Sequence, residues 1–139
     1  MNAKTLWKCP KCGRQFPKKH QWHSCVFYAV EEHFVGKPPS LNKAFDYLIA
    51  KIRQFGPIRI DAVKSSVNIA GKYHFATVFV LRNSLDLQFI FDRYLDHRRI
   101  FRTQKLGPAK HSHVVKLVHK QDVDAELLRW LRKAFSLRR

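Results

Sequence analysis

The sequence predicts an α+β protein: an antiparallel sheet of about five strands flanked by two helices, preceded by a zinc knuckle or ribbon. Three observations predict it. Cys9-Pro10-Lys11-Cys12-Gly13 sets two thiols at a metal-binding spacing. Two stretches, one after Ser40 and one after Asp122, repeat apolar residues at helical spacing. Between them lie short alternating or β-branched runs separated by turn signals, the mark of antiparallel hairpins. The expected division is a knuckle over residues 1–30 and an α+β domain over residues 31–139.

The knuckle comes first. Residues 1–25 hold all three cysteines, six basic residues and no acid. Two cysteines separated by two residues grip one metal from a tight turn, and Gly13 allows the positive φ such a turn needs. Zinc takes four ligands, so the second pair must come from His20, His23 and Cys25. His23 with Cys25 is the favoured pair, and His20 is its competitor. Phe16 and Trp22 are the expected apolar core of this small unit. A redox role for the Cys-x-x-Cys pair is disfavoured, because Gly13 and Pro17 would break the helix that usually follows such a motif. With three thiols and no open coordination position evident, the zinc is expected to be structural.

The domain follows. Val26 to Val35 is apolar enough for a turn or two of helix, and Gly36-Lys37-Pro38-Pro39 reads as a linker. Ser40 is the expected N-cap of a helix whose buried face is Leu41, Phe45, Leu48, Ile49, Ile52 and Phe55. Gly56-Pro57 ends it, with the glycine as a left-handed cap. Strands are expected over 57–63, 66–70, 73–81, 85–91 and 112–119, with Ile100 to Leu106 a candidate for another. The last helix starts near Asp122 and buries Val123, Leu127, Trp130, Leu131 and Ala134; its acids come first and its bases last, which suits the helix dipole.

Composition narrows the function classes. Of the 139 residues, 45% are hydrophobic and 11 are Phe, enough to bury a core. No apolar run approaches the roughly 18 residues of a membrane span, and the N-terminus lacks the apolar stretch of a signal peptide, so a cytoplasmic protein is expected. The balance of 27 Lys plus Arg against 10 Asp plus Glu, a formal charge of +17, attracts polyanions. Residues 97–120 carry seven Lys or Arg, four His and Phe101, and no acid. Phosphates take such donors and an exposed aromatic stacks on a base. The expected DNA or RNA contacts are Lys11, Arg14, Lys18, Lys19, Lys64, Arg98, Arg99, Arg102, Lys105 and Lys110, with the N-terminal bases and residues 98–110 extending one surface.

The chain also resembles a family. Leu6-Trp7-Lys8-Cys9-Pro10-Lys11-Cys12-Gly13-Arg14-Gln15-Phe16 and Gln21-Trp22-His23-Ser24-Cys25 are similar to the start of many bacterial proteins of the domain of unknown function 5655 family. The likeness continues in His33-Phe34-Val35-Gly36-Lys37-Pro38-Pro39, Phe55-Gly56-Pro57, Phe75-Ala76 and Asp124 to Leu131. In similar sequences the residue aligned with His20 is often not histidine, which implies His23 as the ligand. The family implies no reaction.

The function expected is therefore a non-enzymatic, zinc-containing nucleic-acid-binding protein. The alternative is a small-molecule or protein-binding module, favoured by a cavity lined by His74, Phe75 and the strands. A metal-dependent nuclease is the least favoured: Asp61, Asp86 and Asp92 fall on or beside strands, but no acid pair followed by lysine is present. His111-Ser112-His113 reads as a polar strand edge more readily than as a second metal site.

Overall fold

The computed structural model describes residues 6–22 and 28–137. It opens with a small hairpin, β1 (Trp7–Lys8) and β2 (Gln15–Phe16), paired antiparallel with Trp7 opposite Phe16. That register brings the two rings together in a tilted contact, centroids 6.3 Å apart, and the His20 ring adds to Trp7 at 5.1 Å. Trp22 lies beyond the hairpin and is 90% exposed. The apolar core of this unit is thus Trp7 with Phe16, and not Phe16 with Trp22.

A 3-10 turn (Val30–Phe34) leads into α1 (Pro39–Ile52). Pro38 occupies the cap and Pro39 the first helical position, so Ser40 sits inside the first turn and is not the N-cap. Proline wins that place because its φ is already helical and its missing N–H has no partner to lose there. The face read from the sequence is the one buried: Leu41, Phe45, Leu48, Ile49 and Ile52, with Ala44 added. A second 3-10 turn carries the chain to Gly56. Its φ of 152° and ψ of −171° are not those of a left-handed cap. Glycine is needed there for another reason as well: a Cβ would stand 3.0 Å from Cζ of Phe135.

Six strands follow: β3 (Arg59–Ala62), β4 (Val67–Ala70), β5 (His74–Val80), β6 (Leu85–Phe91), β7 (Arg102–Gly107) and β8 (Lys110–Leu117). They form one antiparallel sheet in the order β3-β4-β5-β6-β8-β7. The count is six and not about five, because the polar run at 102–107 is a full strand. All but its last residue are exposed, so it has no apolar alternation to announce it. The chain leaves β6, crosses over through residues 92–101, makes β7 at the edge and returns as β8 in the gap.

The final helix, α2 (Ala125–Leu137), begins later than Asp122. Asp122 closes a 3-10 turn, where its carboxylate accepts the N–H groups of Val118 at 2.7 Å and His119 at 2.9 Å. Asp124 is the actual cap: its Oδ1 accepts the Leu127 N–H at 2.9 Å. Both helices contribute to a single core with one face of the sheet, through residues such as Leu48, Phe75, Leu87, Phe89, Val115, Leu127 and Leu131. Each such side chain taken from water contributes about 1.5–3 kcal/mol. The opposite face carries the alternate positions. One row across it reads Asp61, Asn68, Thr77, Gln88, Val114, Arg102. Among the described residues no helix is long and apolar enough to cross a membrane.

Candidate functional site

The turn at Cys9 to Gly13 closes tightly. Gly13 N–H donates to the Cys9 carbonyl at 2.9 Å, Cys9 N–H donates to Arg14 at 2.8 Å, and Gly13 has a φ of 77°. Cys9 is buried and Cys12 half-buried. His23 and Cys25, the other two expected ligands, lie outside the described residues. His20 is exposed and packs on Trp7 in the left-handed conformation, φ 57°. Among the described residues no group of three or more His, Cys, Asp or Glu is placed to hold a metal.

Two arginines join the hairpin to the sheet in opposite directions. Arg14 reaches from the hairpin to Asp61 at 3.5 Å and donates to the Ala62 carbonyl, with its side chain only 9% exposed. Arg59 reaches from β3 to the carbonyls of Gln15, Lys72 and Gly71, the last at 3.0 Å. Burial pulls the Arg59 pKa down, and the charge of Asp61 opposes the shift. Both guanidiniums are spent on structure, a use of arginine's forked donors that a lysine would not reproduce.

Beside this joint lies a cleft of about 430 Å³. The hairpin side supplies Phe16, Pro17 and Lys18; the sheet supplies Arg59, Asp61, Asn68, Lys72, Tyr73 and His74. A hydrogen-bonded chain runs along its floor. His74 Nε2 lies 2.5 Å from Thr77 Oγ1, which donates to Asn68 Oδ1 at 3.2 Å. Thr77 has one proton and gives it to Asn68, so His74 must be the donor to Thr77 and carries its proton on Nε2. A cavity lined by His74 and Phe75 would have favoured the small-molecule or protein-binding alternative; His74 lines this cleft and Phe75 does not. Phe75 is instead in the core against Phe135, ring centroids 5.6 Å apart, because a register shift near Ala70 offsets the two strands.

The basic residues divide into separate groups. Arg98, Arg102, Lys105 and Lys110 are exposed on or beside β7 and β8. Phe101 is 46% exposed there, with the Arg102 guanidinium 5.3 Å and the Lys116 ammonium 5.2 Å from its ring centre. Lys116 also pairs with Asp86 at 3.1 Å. Arg99 turns away and binds Asp124 at 3.0 Å and the Asp122 carbonyl, tying the crossover to the start of α2. Lys11, Lys18 and Lys19 are exposed on the hairpin, and Lys64 is exposed in the β3–β4 turn. The hairpin docks at β3, one edge of the sheet, whereas β7 is the other. Five strand spacings, about 24 Å, separate those edges. The two groups thus stand at opposite edges of the sheet, a separation set by a strand order that sequence runs could not supply.

Asp61 and Asp86, two of the acids considered for a nuclease, stand on strands with two others between them, and each is bound to a basic residue. Asp92 lies beside Arg93, with Nε 3.1 Å away. They do not converge. His113 is wholly buried on β8 and stacks on Phe89, centroids 5.4 Å apart. Its Nε2 accepts the Leu95 N–H at 2.9 Å, and Nδ1 has no hydrogen-bond partner among the described residues. Burial and the neighbouring charge of His111 push its pKa down, against the His111 backbone.

The sequence did not single out Arg59, Asn68 or Thr77. Their signal was a polar residue at the outward position of successive short strands, which ordinary surface strands share.

Neither the curated proteins nor the solved structures contain a match to this chain. A family model described as a domain of unknown function (DUF5655) matches residues 30–138, the two helices and the six-stranded sheet together. With most of its length covered in this way, the chain belongs to the DUF5655 family.

Proposed function

We propose that this is a non-enzymatic nucleic-acid-binding protein whose contact surface is the β7–β8 edge. One observation carries the reading: Phe101 is exposed between Arg102 and Lys116 on an open edge that also presents Arg98, Lys105 and Lys110. Lysine and arginine neutralise phosphates, and an aromatic face between them stacks on an unpaired base, which favours single strands. No acid occurs from residue 97 to residue 120, and among these cations Lys116 is paired with Asp86 of β6.

In the same proposal Cys9, Cys12, His23 and Cys25 hold a structural zinc ion. The Gly13 turn supports this, since it brings the first two thiols onto one knuckle. Thiolate ligands suit a reduced, cytoplasmic setting.

Fluorescence anisotropy with labelled single-stranded DNA and RNA, repeated across a salt series, tests the interface. The affinity should fall linearly with salt on a log–log scale, and Arg102→Glu with Lys105→Glu should weaken it at least about tenfold. Undetectable or salt-independent binding would refute the reading. Elemental analysis tests the metal separately: less than about half an equivalent of zinc removes it from the proposal.

A further inference from the structure

We infer that the cleft between the N-terminal hairpin and the sheet binds a phosphomonoester group, carried by a small molecule or by the end of an oligonucleotide. This site is separate from the β7 edge and stands or falls without it. Three features of the cleft point to that ligand.

The first is charge. Lys18 and Lys72, with the Arg59 guanidinium held nearby on backbone carbonyls, line the cleft against one carboxylate, Asp61, which Arg14 already engages from the hairpin side. An excess of positive charge beside a paired acid suits a group that carries about −1.5 to −2 at neutral pH better than a singly charged carboxylate.

The second is the donor pattern. Because Thr77 gives its proton to Asn68 Oδ1, the Asn68 amide is fixed in orientation. Its nitrogen, with two N–H groups and no hydrogen-bond partner among the described residues, belongs to a residue on the cleft wall. The ammonium groups of Lys18 and Lys72 add rotatable donors that match a phosphate as point charges. Apart from the engaged Asp61, the side chains with the charge to meet a ligand here are hydrogen-bond donors.

The third is shape. A volume of about 430 Å³ exceeds what inorganic phosphate needs and falls within the usual range for small organic ligands. Phe16, Pro17 and Tyr73 supply apolar walls for the group that bears the phosphate.

Titration of the full-length protein by calorimetry, with amide NMR to locate the shifts, tests this. The probes are AMP, adenosine, and one short oligonucleotide with and without a 5′-phosphate. AMP should bind where adenosine does not, and amide shifts should centre on residues 68–74. Asn68→Asp should weaken AMP binding at least about tenfold. Lys72→Gln, in the half-buried turn between β4 and β5, should weaken it by a smaller factor and guards against misfolding of the first variant; thermal melts check both. Arg102→Glu with Lys105→Glu should leave AMP binding unchanged. A phosphate-dependent gain only on the oligonucleotide would identify a nucleic-acid end as the source, and a gain with AMP would identify a small molecule. Equal binding of AMP and adenosine, no binding by any phosphorylated probe, or full affinity in both Asn68→Asp and Lys72→Gln would overturn the inference.

Discussion

The two edges of the sheet are built on opposite principles. At β3 the edge is closed: a separate hairpin lies against it, and Arg14 and Arg59 cross the joint in opposite directions. At β7 the edge is open, its residues are exposed, and its cations engage the Phe101 ring and solvent more than backbone. The same residue type thus serves two purposes. An arginine whose three guanidinium nitrogens each meet a carbonyl, as those of Arg59 do, is structural, and one that lies over an exposed ring remains available to a ligand. Charge counts alone cannot separate these uses. An exposed basic edge also resists pairing with a second sheet, so its lysines serve solubility as well.

The largest effect is expected from breaking the closed edge. Arg59→Ala removes the donors to Gln15, Gly71 and Lys72, and should cost about 2–3 kcal/mol in urea denaturation. Amide exchange should rise over residues 6–22 and β3 while β8 stays protected. A loss spread evenly over both edges would show that the hairpin is not a separable cover.

Next in size is the tie that holds the open edge in place. Asp124→Ala removes the α2 cap and the partner of Arg99, and should cost about 1 kcal/mol. The release should be felt in the crossover that leads to β7. Burial works against the charged form of both Asp122 and Asp124. Backbone N–H groups and Arg99 outweigh it and hold both carboxyls below their ordinary value of 3.8. Their contribution is present above that value and is lost as pH falls through the lower folded-state one.

A second acid effect begins at higher pH, on the strand beside the open edge. His113 has a lowered pKa, so below about pH 6.5 the unfolded chain binds more protons than the folded one. Stability should be full above that value and decline as pH falls beneath it. His113→Gln keeps an acceptor for the Leu95 N–H and should flatten the decline between about pH 5 and 7, read from urea midpoints at each pH. An unchanged slope would clear His113.

The smallest effect on stability is expected at the open edge itself. Arg102→Glu with Lys105→Glu should shift the unfolding free energy by no more than about 0.5 kcal/mol, since both side chains are exposed. A shift of several times that size would mean the edge is not open in the sense described.

Much of this architecture is legible in the sequence, and the reason is periodicity. The α1 face from Leu41 to Ile52 and the alternation Leu85, Leu87, Phe89, Phe91 are each decided by local burial. Gly13 was legible because a tight turn demands a positive φ. What could not be read depends on partners far along the chain. β7, a candidate strand over Ile100 to Leu106 with no apolar alternation of its own, is made a strand by its pairing with β8. The last helix starts after Asp124 and not near Asp122, because Asp122 accepts the N–H groups of Val118 and His119 while Asp124 accepts that of Leu127. Trp22 lost its expected place to Trp7, which the hairpin register sets opposite Phe16. The cleft depends on the docking of the hairpin, for which no local pattern exists.

The strand order carries a consequence for the chain as it is made. β8 fills the gap between β6 and β7, so β6 lacks its second neighbour until residues 110–117 have emerged. Through that interval Leu85, Leu87, Phe89 and Phe91 sit on a strand with one side unsatisfied, the situation that invites intermolecular pairing. A nascent chain arrested just after Gly107 should therefore be a poorer solute and a better chaperone client than one arrested a few residues past Leu117, although α2 is still missing from both.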